Sequence, residues 1–190
     1  MQLFLIIFDI LFNMLQEARN FSYQVHKDIF HSTKTGIMKP QLNHIQEVAD
    51  LVWISGGSDI EISAAWLHDS IEDTSTTIKD IEGIFGPEVA ALVLALTDSP
   101  DLDLLSLKER KIQQAEILKN KNKSVKLIKL ADQISNVKTL RIEPFANMSE
   151  EGRKDYLHGA NLISQVCKGV SPLLDEIFER EYAKTIEFQY

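Results

Sequence analysis

The chain has 190 residues, 44% of them hydrophobic and 25% charged, which suits one globular domain with a core of its own. Its net charge of −8 argues against binding a nucleic-acid backbone, which needs clustered excess Lys and Arg. Cys167 is the only cysteine, so an internal disulfide is excluded and a reducing cytoplasm fits.

In chain order, Met1 to Phe12 is apolar except for Gln2 and Asp9. It is shorter than the roughly 20 residues of a membrane span and lacks the basic start of a signal peptide. Three readings stay open: an upstream start with Met14 as the true one, an added helical turn on the core or a dimer mate, or a membrane-surface anchor. Residues 1–13 are therefore set apart as an extension, and 14–190 as the domain. Leu15 to Phe30 reads as an amphipathic helix, and Thr33 to Pro40, with Gly36, as a loop. Asn43 is a plausible N-cap for a helix carrying His44 and ending at Gly56-Gly57.

Asp59 to Asp73 places Ile60, Ala64, Leu67 and Ile71 at helical spacing, which predicts one helix with a buried face. Thr77 with Asp80 reads as a capping box, and Gly86-Pro87 as the end of one helix and the start of another. Ala90 to Leu96 is an unbroken apolar run whose Ala and Leu content favours a buried helix. Helices are also expected over Ser106 to Lys121, which is strongly basic, Ser124 to Leu140, Glu150 to Lys168 and Pro172 to Ile186. The fold expected is all-α, a single helical bundle.

The chemistry concentrates in Leu67-His68-Asp69-Ser70-Ile71-Glu72-Asp73-Thr74. Residues four apart on a helix share a face, so His68 would sit above Glu72 and Asp69 above Asp73. Three acids near a helix C-terminus oppose its dipole, and a divalent cation would compensate them. Adjacent helix residues diverge by about 100°, so an ion held by both His68 and Asp69 must lie beside the helix. His44 and Asp132, from other helices, complete a set of two imidazoles and two carboxylates. That set suits Mn²⁺, Fe²⁺ or Zn²⁺ better than Ca²⁺ and is too rich in oxygen for a structural zinc site. Asn136 lies four residues beyond Asp132 on the same stripe, placed to hold a substrate hydroxyl or a water. Lys129 and Lys138 read as surface residues.

The order His44, His68-Asp69, Asp132 resembles the HD phosphohydrolase superfamily. The run from Leu67 to Thr74, Thr76-Thr77, Phe85-Gly86-Pro87-Glu88-Val89, and Val125 to Asp132 with Asn136 and Thr139-Leu140 resemble the hydrolase domain of the Rel/Spo alarmone enzymes. With no room for a synthetase domain, the chain is similar to the stand-alone small alarmone hydrolases. The resemblance implies an HD-domain bundle that binds a divalent metal, most plausibly Mn²⁺, through His44, His68, Asp69 and Asp132. It implies Glu72 as general base with Asp73 as its helper, and removal of the 3′-pyrophosphate of ppGpp to give GDP. The Lys108-Glu109-Arg110-Lys111 run resembles the family's Glu-Arg-Lys segment, so Lys108, Arg110 and Lys111, with Lys34 and Asn136, are the expected substrate contacts. A small-molecule nucleotide is the expected partner of a cytoplasmic enzyme, with no nucleic acid or membrane, and homo-oligomers are compatible with it.

The chain departs from the family around the first histidine. Gln41 replaces a tyrosine, Ile45 a proline and Thr33 an arginine, and the tyrosine and arginine help form the family's guanosine pocket. Another phosphorylated nucleotide such as NADPH is therefore the alternative substrate. An inactive ligand-binding module is the second alternative, against which the intact Glu72-Asp73 pair argues.

Overall fold

A computed structural model describes residues 2–188, with side chains from Met14 onward. Helix α1, Gln2–His26, is continuous in its backbone, and the reading of the apolar extension as a unit of its own lies outside the described side chains. The chain then makes a hairpin of two three-residue strands, β1 (Phe30–Ser32) and β2 (Met38–Pro40), before turning helical for the rest of its length. The helices are α2 (Gln41–Ile54), α3 (Asp59–Leu67), α4 (Ser70–Asp73), α5 (Ile78–Leu96), α6 (Leu107–Lys119), α7 (Lys123–Ile142), α8 (Glu150–Cys167) and α9 (Pro172–Glu187). A short three-ten segment, Pro100–Leu104, leads into α6. The fold is all-α but for the hairpin. No helix of the described residues is long and apolar enough to cross a membrane.

Helix α7 is the axis of the bundle. Its Ile128, Leu130, Ile134, Val137 and Leu140 are all but fully buried, and it packs against α2, α8 and α9. Those partners contribute Ile45, Val48 and Val52, Leu157 and Ile163, and Leu174 and Phe178. Each such side chain stabilises the fold by about 1.5–3 kcal/mol when withdrawn from water. Helices α3 and α5 close the other flank with Ala64, Ala65, Leu67, Ile81, Val89 and Val93.

Several expectations hold at the level of single residues. Thr77 and Asp80 form a reciprocal capping box at the start of α5. Gly86 breaks the helical geometry of α5 with φ +82°, and Pro87 opens its second half, where its missing N–H costs nothing. Ala90 to Leu96 is buried helix, not strand.

Three expectations change. The first helix ends at His26, and Phe30 belongs to a strand. The Thr33–Pro40 loop is half strand: Phe30 pairs with Pro40, His31 with Lys39 and Ser32 with Met38. Thr33 Oγ1 and Gly36, at φ +80°, close the turn between them. Because Pro40 is the N-cap of α2 and the helix starts at Gln41, Asn43 lies inside the first turn rather than capping it.

Candidate metal and phosphate site

The motif helix expected over Asp59–Asp73 is two helices, and His68 and Asp69 are the joint between them. Asp69 has φ −94° and ψ −4°, so the helical path is bent there rather than interrupted. Inside one regular helix the two side chains would diverge by about 100°. The bend brings them together, with His68 Nε2 3.1 Å from Asp69 Oδ1.

Helix α2 adds His44, whose Nε2 lies 3.6 Å from Asp69 Oδ2 and 3.5 Å from Asp132 Oδ1 of α7. Ligand atoms of His44, His68 and Asp69 all lie within 4.8 Å of one another. Asp132 faces the same His44 Nε2 but stands outside that group of three.

The proton positions on both rings follow from their partners. His68 Nδ1 is 2.8 Å from the Ala65 carbonyl, which can only accept, so Nδ1 carries a hydrogen and Nε2 is the atom turned to the Asp69 carboxylate. That Nε2 is buried and has no hydrogen-bond partner. His44 Nδ1 faces Ser135 Oγ, and burial lowers the His44 pKa despite the nearby Asp69 and Asp132 carboxylates. The Nε2 atoms of two imidazoles thus face two carboxylates. A divalent cation among them would satisfy the buried His68 Nε2. The nitrogen-and-oxygen donor set fits a divalent first-row metal ion.

Asp132 is held from three directions. Its Oδ1 accepts from Asn136, and its Oδ2 accepts from Gln133 Nε2 at 2.9 Å and Lys129 Nζ at 3.0 Å. Burial alone would raise its pKa, but Lys129 and the histidines outweigh burial and hold the carboxyl well below the usual range. Lys129, read from sequence as a surface residue, is therefore an inner cation. Burial works against its ammonium, yet Asp132, Asp98 and Glu72 push its pKa up. The available signal was the i,i+3 spacing to Asp132 on one helix.

The cluster opens into a cavity of about 290 Å³. Glu72 lines it, and Glu72 Oε1 accepts the Asp98 backbone N–H at 2.6 Å. Enclosure raises the Glu72 pKa against that hydrogen bond. Asp73 does not line the cavity; burial and then Asp69 raise its pKa, and its Oδ2 accepts from Gln41 Nε2 at 3.0 Å. The same amide donates to Asp69 Oδ2 at 2.7 Å, and Gln41 Oε1 accepts from His31 Nε2 at 2.6 Å. The side chain that replaces the family tyrosine thus reaches the metal cluster and ties it to the hairpin.

Cations also line the cavity. Arg110 and Lys111 of α6 line the cavity together with Lys39 of the hairpin and Lys129. Arg110 pairs with Asp98 and Asp103, each at 3.2 Å. Lys111 lies 4.3 Å from the centre of the Tyr156 ring of α8, and burial followed by Lys129 brings its pKa down to about 8. Gly159 makes room for its stem, since a Cβ there would fall 2.3 Å from Lys111 Cβ. Asn136 also lines the cavity, whereas Lys34 and Lys108 are exposed and stand outside its lining. Tyr156 and Lys39 escape a sequence reading, because nothing local marks a tyrosine on α8 or a lysine in a three-residue strand as facing this cavity.

An HD domain model matches residues 18–157. Guanosine-3′,5′-bis(diphosphate) 3′-pyrophosphohydrolase MESH1 of Danio rerio is 32% identical over 165 residues, 86% of this chain and 89% of that protein. The Homo sapiens protein of that name is 32% identical over 164 residues, 85% of this chain and 89% of its own. A solved structure described as a metazoan ortholog of SpoT that hydrolyses ppGpp superposes with a TM-score of 0.80 at 26% identity, covering 90% of this chain and 94% of that one.

Proposed function

The chain belongs to the HD-domain family, and from that premise we propose that it hydrolyses ppGpp at the 3′ position, releasing GDP and pyrophosphate. The observation that carries this reading is the buried Nε2 of His68, without a hydrogen-bond partner and facing the Asp69 carboxylate, beside a cavity that cations line. Such a site pairs a divalent cation with a polyanion, in a chain whose overall charge of −8 would otherwise repel one. His44, His68, Asp69 and Asp132 would hold a divalent ion, proposed as Mn²⁺, which would supply Lewis-acid polarisation of the phosphoryl group and a more acidic water.

The chain's own residues do the rest. Arg110, Lys111 and Lys129, with Lys39 across the cavity, hold the pyrophosphate charge. Glu72, with Oε1 fixed by the Asp98 N–H, takes the proton of the attacking water on its other oxygen. Water's oxygen bonds to phosphorus, the ester bond to the ribose 3′ oxygen breaks, and a proton returns to that oxygen as GDP leaves. Asp73 acts through Gln41, which binds it and Asp69 together. A cytoplasmic setting, where nucleotide pools lie, completes the reading.

A panel of ppGpp, NADPH and other phosphorylated nucleotides, turned over by the Mn²⁺-loaded protein, tests the substrate. We expect kcat/KM for ppGpp to exceed every other by more than about 100-fold, a margin within reach of a few buried polar contacts. Equal or better use of NADPH would overturn the assignment, and no turnover of any nucleotide would leave a binding module.

A further inference from the structure

His44 is held differently from His68. The His68 Nδ1–H is anchored on a backbone carbonyl, which no side-chain change can remove. The His44 Nδ1 lies 3.0 Å from Ser135 Oγ, which in turn donates to Glu47 Oε2 at 2.8 Å. Glu47 is closed off at its other oxygen by Lys138 at the protein surface. Ser135 is fully buried and has one hydroxyl proton, which goes to the carboxylate. Its oxygen must therefore accept from His44, which leaves the His44 Nε2 lone pair free to face Asp69 and Asp132.

The two helices contribute symmetrically. On α2, His44 and Glu47 are three residues apart, and on α7, Asp132 and Ser135 are three apart, so each helix presents one ligand and one relay residue on a shared face. We propose that Ser135 and Glu47 are positioning residues that fix the tautomer and orientation of His44 and thereby set the affinity of the cluster for its divalent ion. This rests on the metal-site reading above. Remove the serine hydroxyl, and the His44 proton can move to Nε2. There it donates to Asp69 or Asp132 and competes with the metal. Relay partners of this kind are worth about 10–100-fold in metal affinity.

The test is titration of chelator-stripped protein with Mn²⁺ alone, followed by calorimetry or by the electron paramagnetic resonance of the free ion. Ser135→Ala and Glu47→Ala should each weaken binding about 10–100-fold. Glu47→Gln, whose amide oxygen still accepts the serine proton, should recover most of the loss, a recovery that mere packing damage would not show. Asp69→Ala serves as the reference for loss of the site. If Asp69→Ala loses Mn²⁺ while Ser135→Ala and Glu47→Ala bind within twofold of wild type, the relay is overturned and the metal site stands. If Asp69→Ala itself binds like wild type, the cluster is not the metal site and the relay falls with it. Should Ser135→Ala fail to fold, the contrast between Glu47→Ala and Glu47→Gln decides: equal losses overturn the relay, and recovery by Gln supports it.

Discussion

On one side of the site His44, His68, Asp69 and Asp132 are each fixed by a partner of their own: a serine, a backbone carbonyl, a glutamine amide and a lysine. On the other side Lys111 is held by burial, a tyrosine face and the absence of a side chain at Gly159. The metal wall is built from directional hydrogen bonds and tolerates no exchange of donor and acceptor. On the phosphate side Lys111 is held by packing, and its charge is kept at a cost to the fold. In the proposed reading the first takes a small ion with fixed geometry, and the second a diffuse polyanion.

Changes on the metal wall should therefore act all or none. Asp69→Ala and Asp132→Ala are expected to remove metal binding and hydrolysis together, measured by Mn²⁺ titration and by release of GDP from ppGpp. Retained hydrolysis in either would dissolve the distinction between the walls. Glu72→Gln sits between them. It should keep the metal while lowering kcat by about 10²–10⁴-fold, the usual worth of a general base.

Changes on the phosphate wall should be graded and should appear in KM. Gly159→Ala forces a Cβ to within 2.3 Å of Lys111 Cβ, so the lysine or its helix must move. We expect a loss of about 1–3 kcal/mol in stability, the ordinary cost of overpacking, together with a raised KM for ppGpp. A Gly159→Ala protein with unchanged KM and melting temperature would show that the close approach is not needed.

Lys111→Met should weaken ppGpp binding yet stabilise the metal-free protein at pH 7 by about 1–3 kcal/mol, because it removes a buried cation. The sign follows from linkage. The folded pKa of about 8 lies below the ordinary lysine value, so the penalty is fully present below pH 8 and fades as pH rises towards 10.5. Melting curves of both proteins from pH 7 to pH 10 should therefore converge. A gap that widens with pH would contradict the burial account.

The meeting of His44, His68 and Asp69 was the legible half. His68-Asp69 and Asp132 stand out as charged residues amid apolar helical runs, and such placements need a reason the fold alone does not supply. The bend at Asp69 was not legible, because Ile60, Ala64, Leu67 and Ile71 keep helical spacing across it and a ψ of −4° leaves no mark in the residue pattern. The hairpin was missed for a related reason. Three-residue strands are too short to carry an alternating period, and Phe30–Ser32 is a strand only because Met38–Pro40 lies beside it. The phosphate wall depends on contacts between α6 and α8, such as Lys111 over Tyr156, that no spacing within either helix encodes. Gln41 marked a departure from the family pattern, but its two carboxylate contacts appear only once α2 and the α3–α4 joint are brought together.

The most direct test of the central claim is hydrolysis of ppGpp by protein stripped of metal and then restored with Mn²⁺, followed by chromatography of the products. The stripped protein should show no turnover, and GDP with pyrophosphate in equal amounts should form once one equivalent of Mn²⁺ is returned. Hydrolysis by the stripped protein at the restored rate, or products other than GDP and pyrophosphate, would contradict it.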